Sequence, residues 1–456
     1  MTIWRPDVRR ARGPVYEAIA LAIAADVAKG RLKGGERLPT HRDLAGRLGV
    51  TVGTVSRAYA EAARRGLISG EVGRGTFVRG DAAPDDAGLV DLASNHPPLP
   101  PGDALTAALE DAFASLAGAQ GTGELLAYPP DSGYARHREA GAQWLAWCGL
   151  DTPPDRVLAC SGSQHALAIV LSTLLRPGET LATEALTYPG LQAVANLLHL
   201  RLQGLPMDRH GLEPGAFESA CLAGGLKAVY LVPTIHNPTT RMMPLERRQQ
   251  IARIARAHGV AIVEDDIHAH LPSERPAPVA SLAPELAYFI TSTSKTLAPG
   301  LRVGYLLAPA DHLERLTAAA RATVWASAPL MAEIATLWIR QGTAQRLLAA
   351  RRGEAVARQK RAREALAGWH FEAHPEGYHV WLQLPEPWTS VTFSAQARRH
   401  GVAVTPSEAF VIGREPAPHA VRLCLGAARS RASLDRGLGL VASLLRESPE
   451  PTLAVG

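Results

Sequence analysis

The chain has 456 residues, of which 46% are hydrophobic and 20% are charged, a composition typical of globular proteins with two or three domains. No apolar run is long enough to span a bilayer, so we expect no membrane association. The basic N-terminus, residues 1–12, leads into an amphipathic segment and lacks the apolar core of a signal peptide. We therefore expect a cytoplasmic protein.

The basic residues are concentrated at one end of the chain. Residues 1–80 hold 15 Lys and Arg against 7 Asp and Glu, a net charge of +8, whereas the remaining residues hold 33 against 36, a net charge of −3. A cationic surface binds polyanions by releasing their counterions. The asymmetry therefore indicates a nucleic-acid partner for the N-terminal segment.

The cysteines do not indicate a metal site or a disulfide framework. The cysteines are Cys148, Cys160, Cys221 and Cys424. They lie far apart in the sequence, form no Cys-x-x-Cys pair and have mostly apolar neighbours. We predict that all of them are buried free thiols.

Three helices and a hairpin are predicted at the N-terminal end. Apolar residues recur at helical spacing over 14–29. Thr40 is a suitable N-cap for a short helix over 41–48, and Thr51 for a further helix that ends at Gly66. Two short helices joined by a tight turn are typical of a helix-turn-helix, and the following LISGEVGRGTFV predicts two strands around a Gly-rich tip, a wing.

This segment resembles the GntR family of winged-helix regulators over about residues 14–79. The residues that carry the resemblance are Gly35, Leu38, Pro39, Thr40, Arg42, Leu44, Ala45, Leu48, Gly49, Val50, Thr54, Val55, Tyr59, Gly66, Leu67, Ile68, Gly73, Arg74, Gly75, Thr76, Phe77 and Val78. The resemblance implies a double-stranded DNA operator as the partner.

Five residues are candidates for contact with DNA. Thr51, Thr54 and Arg57 lie in the N-terminal half of the second helix of the motif, the part that presents side chains to base edges in the major groove. Arg42 begins the preceding helix and Arg74 lies at the wing tip, where each would meet phosphate or the minor groove.

One residue departs from the family pattern. The family often carries an arginine directly after the position of Thr51, but Val52 stands there in this chain. The base specificity is therefore expected to differ.

The pattern changes after the basic segment. We assign residues 1–79 to the DNA-binding domain and the short polar stretch 80–90 to a linker. From there, over 91–456, strand-like runs such as LKAVYLVP and GVAIVED alternate with longer helical stretches. That alternation predicts an α/β fold with a largely parallel sheet.

Lys295 is the first indication of chemistry in this region. The chain has 43 arginines and only five lysines, so lysine is not its general surface cation. Lys295 stands among small hydroxyl residues after an apolar strand, in the segment STSKTLAPGLR. A Schiff base needs a primary amine, which arginine does not supply.

Over about residues 91–445 the chain resembles the fold-type I aminotransferases, which depend on pyridoxal 5'-phosphate. The resemblance implies that Lys295 is the catalytic lysine and carries the cofactor as an internal aldimine, and that Ser292 and Arg302 bind its phosphate. It also implies a large α/β domain with a mostly parallel sheet and a smaller C-terminal α+β subdomain over about 330–456.

A second part of the cofactor site is predicted where the strand VLAC meets a helix. Gly162, Ser163 and Gln164 open that helix, and the backbone N–H groups of a helix N-terminus bind phosphate readily. The resemblance implies that Tyr188 stacks on the pyridine ring of the cofactor.

The remaining cofactor residues follow two further strands. The resemblance implies that Asn237, in Asn-Pro-Thr, hydrogen-bonds the phenolic oxygen, and that Asp265 pairs with the pyridine nitrogen, with Asp266 as the alternative. The family usually has a tyrosine two or three residues beyond that Asp, but Ile267 and His268 stand there. His268 would donate in its place, or else the cofactor's electronics differ, which weakens the case for catalysis more than the case for binding.

Two more residues are assigned by the resemblance. Tyr128 matches a tyrosine that reaches the phosphate across a dimer interface, and Arg422 matches the arginine that binds a substrate α-carboxylate through two parallel hydrogen bonds. We therefore expect a head-to-tail homodimer, which would also present two DNA-binding modules to paired half-sites.

The two halves in this order resemble the MocR-type subfamily of GntR regulators. What that implies is a sensor, in which an amino compound or the cofactor itself binds at Lys295 and changes how the DNA-binding domains are held. An active aminotransferase with a DNA-binding appendage is the first alternative. A DNA-binding module with a degenerate fold that holds no cofactor is the second, against which Lys295, Asp265 and Arg302 argue.

Overall fold

The computed structural model describes residues 4, 6, 14–28, 31–71, 75–78, 88–100, 102–118, 121–130 and 133–449. The chain divides into two compact units, residues 1–87 and 88–456, and the division lies within the segment predicted as a linker. Among the described residues, no helix combines the length and the apolar character needed to cross a membrane.

The first unit is a three-helix bundle with a hairpin. Its elements are α1 (Val15–Ala28), α2 (His41–Leu48), α3 (Val52–Arg64), β1 (Ile68–Glu71) and β2 (Gly75–Val78). The helices enclose a small core, since one face of each is apolar; its fully buried members include Ile19, Ile23, Leu44, Val55 and Ala58.

The predicted caps of α2 and α3 are confirmed. The Thr40 side chain accepts a hydrogen bond from the Asp43 backbone N–H, and the Thr51 side chain accepts one from Thr54 in the same way. Gly49 ends α2 with φ of 67°, a left-handed conformation that glycine adopts without strain. The turn between the two helices is therefore set by local sequence.

The predicted wing is an antiparallel hairpin. β1 pairs with β2 from Ile68 opposite Val78 to Glu71 opposite Gly75. The tip of the hairpin lies outside the described residues, so the DNA contact predicted for Arg74 stays a prediction.

The second unit is larger and has an α/β architecture. Its elements are β3 (Val90–Asp91), α4 (Ala104–Gly118), α5 (Ala135–Ala146), β4 (Val157–Cys160), α6 (Ser163–Leu174), β5 (Thr180–Glu184), α7 (Pro189–Leu197), β6 (Arg201–Leu205), β7 (Met207–Asp208), β8 (Gly211–Leu212), α8 (Pro214–Leu222), β9 (Leu226–Leu231), α9 (Leu245–His258), β10 (Ala261–Asp265), α10 (Val279–Leu282), β11 (Ala287–Ser292), β12 (Gly304–Leu307), α11 (Leu313–Val324), α12 (Pro329–Arg340), α13 (Thr343–Ala365), β13 (Phe371–Ala373), β14 (His379–Gln383), α14 (Ser390–Arg399), β15 (Val402–Ala403), β16 (Thr405–Pro406), β17 (Ala420–Cys424) and α15 (Arg431–Leu444).

A seven-stranded sheet organises this unit. The strand order is β4-β12-β11-β10-β9-β5-β6, and β12 alone runs against the others. The carboxyl ends of the other six strands therefore meet at one edge of the sheet, together with the beginning of β12. Loops that follow different strands are brought together there.

The sheet is covered on both faces. Tyr288 and Ile290 of β11 belong to one apolar cluster, and Phe289 between them belongs to another. Because successive side chains of a strand point to opposite faces, the two clusters lie on opposite sides of the sheet. This double coverage explains the near-continuous apolar runs in the sequence.

The last part of the chain forms a second, four-stranded sheet with the order β13-β14-β17-β16, all antiparallel. A short parallel pair, β3 with β15, joins the residues after the linker to this subdomain. All the cysteines are buried free thiols, as predicted. No cluster of potential metal ligands occurs among the residues that the structure describes.

Candidate cofactor site

Lys295 lies in the turn between β11 and β12, at the carboxyl edge of the large sheet. Its backbone carbonyl accepts a hydrogen bond of 2.8 Å from the Tyr378 hydroxyl. Two residues along, the Leu297 carbonyl accepts from the buried Arg351 guanidinium at 3.0 Å. The Nζ of Lys295 donates to the backbone carbonyl of Asn95. The turn that carries the lysine is thus held from two sides.

The surroundings keep more of the Lys295 amine neutral than in an ordinary lysine. Burial lowers the pKa of its amine to about 8, and the positive charge of Arg422 acts in the same direction. Burial disfavours the ammonium because it removes water from the charged form. A larger fraction of this amine is therefore neutral, and able to attack a carbonyl, near pH 7.

Asp265 ends β10 and carries one oxygen without a partner. The Tyr230 hydroxyl donates to Oδ2 at 2.7 Å. Oδ1 is buried and has no hydrogen-bond partner among the described residues. Burial raises the pKa of this carboxyl to about 7. A buried acceptor that lacks a donor fits a protonated ring nitrogen, which would supply the N–H and the compensating charge.

Gly162 and Arg302 form a cradle beside the first turn of α6. Gly162 precedes Ser163, the first residue of the helix, and has φ of 85°. A Cβ at Gly162 would come within 2.6 Å of a guanidinium nitrogen of Arg302. Arg302 is itself left-handed, with φ of 52°, a conformation uncommon for a residue with a side chain. The helix N-terminus and the guanidinium together suit a phosphate.

Gln164 has a positioning role within this cradle. Its side-chain oxygen accepts from the Tyr188 hydroxyl at 3.1 Å, and its side-chain nitrogen donates to the Gly190 carbonyl at 2.9 Å. Gln164 therefore fixes the Tyr188 ring relative to α6. Ser292, the last residue of β11, is fully buried next to the lysine turn.

Arg422 and Asn237 are in direct contact. The Nη1 of Arg422 donates to the side-chain oxygen of Asn237 at 2.7 Å, and Nη2 donates to the Ala93 carbonyl at 2.7 Å. The guanidinium lies 4.9 Å from the centre of the Phe410 ring, and its Nε is buried with no partner among the described residues. A carboxylate that approached Nε would complete this hydrogen-bonding set.

His268 is placed in the site, but its ring is set as an acceptor. Its Nδ1 donates to the Ile235 carbonyl at 3.1 Å, and burial lowers its pKa to about 3. The ring is therefore neutral, and Nε2, which is buried and has no partner among the described residues, carries the lone pair. Donation to a phenolic oxygen, as predicted for His268, would require the other tautomer.

Tyr128 lies on the surface of this chain. It is 84% exposed, and its ring centre is 5.4 Å from that of Trp325, which is also exposed. The structure brings the other predicted cofactor residues to the carboxyl edge of the sheet, and Tyr128 stands apart from them. Its predicted role in a partner's site stays a prediction.

Sequence reasoning missed Tyr230, Asn95 and Arg351. Tyr230 was hidden inside the apolar run of β9, although that strand pairs with β10 and ends at the same edge. Asn95 and Arg351 contribute through contacts with backbone carbonyls, for which a sequence carries no signal.

In the first unit, three of the five predicted DNA-binding residues share a concave surface. Thr51, Thr54 and Arg57 line it together with Tyr16 and Val15 of α1. Arg57 and Arg42 are exposed. Thr51 and Thr54 bond each other through their hydroxyls at 2.9 Å.

Comparison with known proteins agrees with both units. The family "Aminotransferase class I and II" matches residues 87–440, and the family "Bacterial regulatory proteins, gntR family" matches residues 15–78. An uncharacterized HTH-type transcriptional regulator of Bacillus subtilis, YdeF, is 31% identical over 97% of this chain and 96% of its own length. The regulator TauR of Rhodobacter capsulatus is 27% identical over 95% of this chain and 97% of its own length.

Among solved structures, the α-aminoadipate aminotransferase LysN of Thermus thermophilus, complexed with N-(5'-phosphopyridoxyl)-L-leucine, is 26% identical with a TM-score of 0.70. It covers 79% of this chain, and 92% of its own chain is matched. An archaeal alanine:glyoxylate aminotransferase, 22% identical, has the same fold with a TM-score of 0.72, over 78% of this chain and 91% of its own.

The fold and the matched families define a winged helix-turn-helix unit followed by a fold-type I aminotransferase unit. The chain belongs to the GntR-family transcriptional regulators of the MocR type.

The low pKa of Lys295 gives a direct test of this site. We expect a titration midpoint near 8 for the Lys295 amine, because burial disfavours its charged form, against about 10.4 for an ordinary lysine. The measurement is the pH dependence of the ¹³C-methyl resonances of reductively methylated protein, and Lys295→Arg assigns the signal. A midpoint above about 10 would contradict the burial of the amine.

Proposed function

We propose that this protein is a regulator that binds operator DNA, holds pyridoxal phosphate at Lys295 and senses a small amino compound there. The observation that carries the proposal is the site itself. Three features lie along one edge of one sheet: a buried amine with a lowered pKa, a phosphate cradle, and a buried carboxylate with one oxygen that no described residue contacts by a hydrogen bond. This site belongs to a chain that begins with a winged helix.

Each side chain has a distinct part in holding the cofactor, which supplies an electron sink when it is bound. Lys295 would provide the covalent attachment and Asp265 would accept from the ring nitrogen. Phosphate would be bound by the backbone at Gly162 and Ser163, with Ser292 and Arg302. Tyr188, positioned by Gln164, would cover the ring, and Asn237 and His268 would serve the phenolic oxygen.

We assign Arg422 to the carboxylate of the effector. Its Nε has no partner in the part of the chain that the structure describes, and its guanidinium is fixed by Asn237 and by the Ala93 carbonyl. A forked guanidinium in a buried position selects a planar anion over a neutral group. The effector is accordingly an amino acid or a related amine that bears an acidic group.

An active aminotransferase is the second candidate function. Lys295, Asp265, Asn237 and Arg422 supply the groups that transamination requires, and the α-aminoadipate aminotransferase noted above shares the fold. His268 favours the sensor, because its neutral ring accepts through Nε2. An acceptor facing a phenolic oxygen would not stabilise negative charge there.

Homodimerisation is supported by an exposed apolar surface, the interface patch, made of Leu126, Tyr128, Val324 and Trp325. Leu126 and Tyr128 are each 84% exposed, and these side chains line one concavity. Contiguous apolar surface of this kind marks association sites. We assign a second copy of this chain to it, with Tyr128 reaching the partner's phosphate site, and we place the dimer in the cytoplasm with the DNA that it binds.

The cofactor proposal is tested by absorbance. Purified protein titrated with pyridoxal phosphate should develop a near-visible band that is absent from Lys295→Ala, because no other group supplies the attached amine. Lys227→Ala, which removes an exposed lysine, should behave as wild type.

The same titration separates sensor from enzyme. An amino acid that shifts the band reversibly without release of keto acid indicates a sensor, and stoichiometric keto acid indicates an aminotransferase. If neither the wild-type protein nor Lys227→Ala shows a band at saturating pyridoxal phosphate, the cofactor proposal is wrong.

DNA binding is tested at Arg57. We expect Arg57→Ala to weaken binding to a duplex selected from a random pool by about tenfold or more, because Arg57 lies where a recognition helix meets the major groove. The control is Arg64→Ala, at the far end of α3, which should stay within about twofold of wild type. Fluorescence anisotropy at fixed salt measures both; equal losses would remove Arg57 from the interface.

The dimer is tested at Leu126. Leu126→Asp should lower the sedimenting mass to that of one chain, because a charge in the interface patch would be desolvated on association. Leu222→Asp, at a leucine that is 72% exposed elsewhere, is the matched control and should stay dimeric. A wild-type protein that sediments as a monomer would refute the homodimer.

A further inference from the structure

A segment that follows the linker passes beside the cofactor site. We call residues 90–98 the strap. At its start, the Val90 amide donates to the Gly401 carbonyl at 2.8 Å and the Leu92 amide to the Ala403 carbonyl at 2.9 Å. The Cys424 amide donates to the Leu92 carbonyl at 2.7 Å. The beginning of the strap is therefore attached to the subdomain that carries Arg422.

Four side chains hold the rest of the strap by its backbone carbonyls, and Thr405 is one of them, since its hydroxyl donates to the Ala93 carbonyl at 3.0 Å. Arg422 donates to the Ala93 carbonyl at 2.7 Å, Lys295 to the Asn95 carbonyl, and Arg351 to the Pro98 carbonyl. Arg351 also holds the lysine turn, through the Leu297 carbonyl at 3.0 Å. The strap thus crosses from the small subdomain to the large sheet, and two of these four side chains, Lys295 and Arg422, are the groups assigned to cofactor and effector.

We propose that the strap couples the cofactor site to the linker. This inference rests on the proposed function. When the Lys295 amine condenses with the aldehyde carbon of pyridoxal phosphate, a C=N bond forms and water leaves, so the nitrogen no longer has the three donors of an ammonium. A carboxylate that approaches the Nε of Arg422 shares the guanidinium with the Ala93 carbonyl on Nη2 and weakens that second bond, because the charged acceptor is the stronger one.

Arg351 determines which end of the strap is free to move when ligand binds. It contacts neither of the groups assigned to ligand, and it is buried with both of its carbonyl partners. The Pro98 end of the strap is therefore fixed. The hold on Asn95 depends on occupancy, and Ala93 keeps its bond from Thr405 when the bond from Arg422 weakens. A displacement of Asn95 therefore loads the backbone bonds that hold Val90 and Leu92 to the subdomain, and the chain continues from there into the linker.

The strap packs against Gly426 closely enough for one methyl group to disturb it. A Cβ at Gly426 would lie 2.0 Å from the His96 carbonyl oxygen and 3.0 Å from the Pro98 nitrogen. Both are backbone atoms, so the strap itself would have to move. At Gly439, in α15, a Cβ would meet nothing within 4 Å. Gly426→Ala and Gly439→Ala are therefore a test variant and its matched control.

The experiment is hydrogen–deuterium exchange of the full-length protein, alone, with pyridoxal phosphate, or with pyridoxine 5'-phosphate. The latter has the phosphate and the ring but no aldehyde, so it leaves the Lys295 amine intact. We expect pyridoxal phosphate to speed exchange at the amides of Ser94 and His96 by roughly five- to tenfold, since one strap anchor is lost, and pyridoxine 5'-phosphate to leave it nearly unchanged.

The variants complete the test. Gly426→Ala should exchange fast at these amides without any addition and gain little from pyridoxal phosphate, and its affinity for the selected duplex should no longer respond to the cofactor. Gly439→Ala should behave as wild type. An absorbance band without a change in strap exchange, or a DNA response that survives in Gly426→Ala, would overturn the coupling alone. If the wild-type protein develops no absorbance band with pyridoxal phosphate, the proposed function is overturned, and the coupling with it.

Discussion

The carboxyl edge of the seven-stranded sheet is the constraint on which the site depends. Six strands run in one direction, so the loops after β4, β5, β9, β10 and β11 open on the same side. This geometry places residues separated by more than a hundred positions, such as Gly162 and Arg302, in contact. It also places a lysine and an aspartate in poorly solvated positions, which shifts both of their pKa values toward neutrality.

Much of the fold was predictable because its determinants are local. Thr40, Gly49 and Thr51 specify where α2 and α3 begin and end through side-chain caps and one left-handed turn, and a sequence states these directly. The strands of the large sheet were predictable for a similar reason, since a strand covered on both faces is apolar throughout. The cofactor-site residues were predictable because they lie in short motifs that follow those strands.

The remaining features depend on tertiary geometry. The partner of Asp265 is Tyr230 because β9 and β10 are neighbours, and strand order is not written in either strand. The tautomer of His268 follows from one carbonyl, that of Ile235, which only the folded loop places within reach. The contacts of the strap involve backbone atoms that every residue possesses, so no residue type marks them.

The site is assembled from loops spread between residues 162 and 302, and this spread has a consequence for the amount of protein in a cell. A cofactor that binds only where all these loops meet binds the folded domain and not the unfolded chain. By mass action, each tenfold rise in free cofactor above the dissociation constant adds about 1.4 kcal/mol to the free energy of unfolding. The supply of vitamin B6 would thereby set how much of the regulator escapes proteolysis, separately from any signal that it sends to DNA.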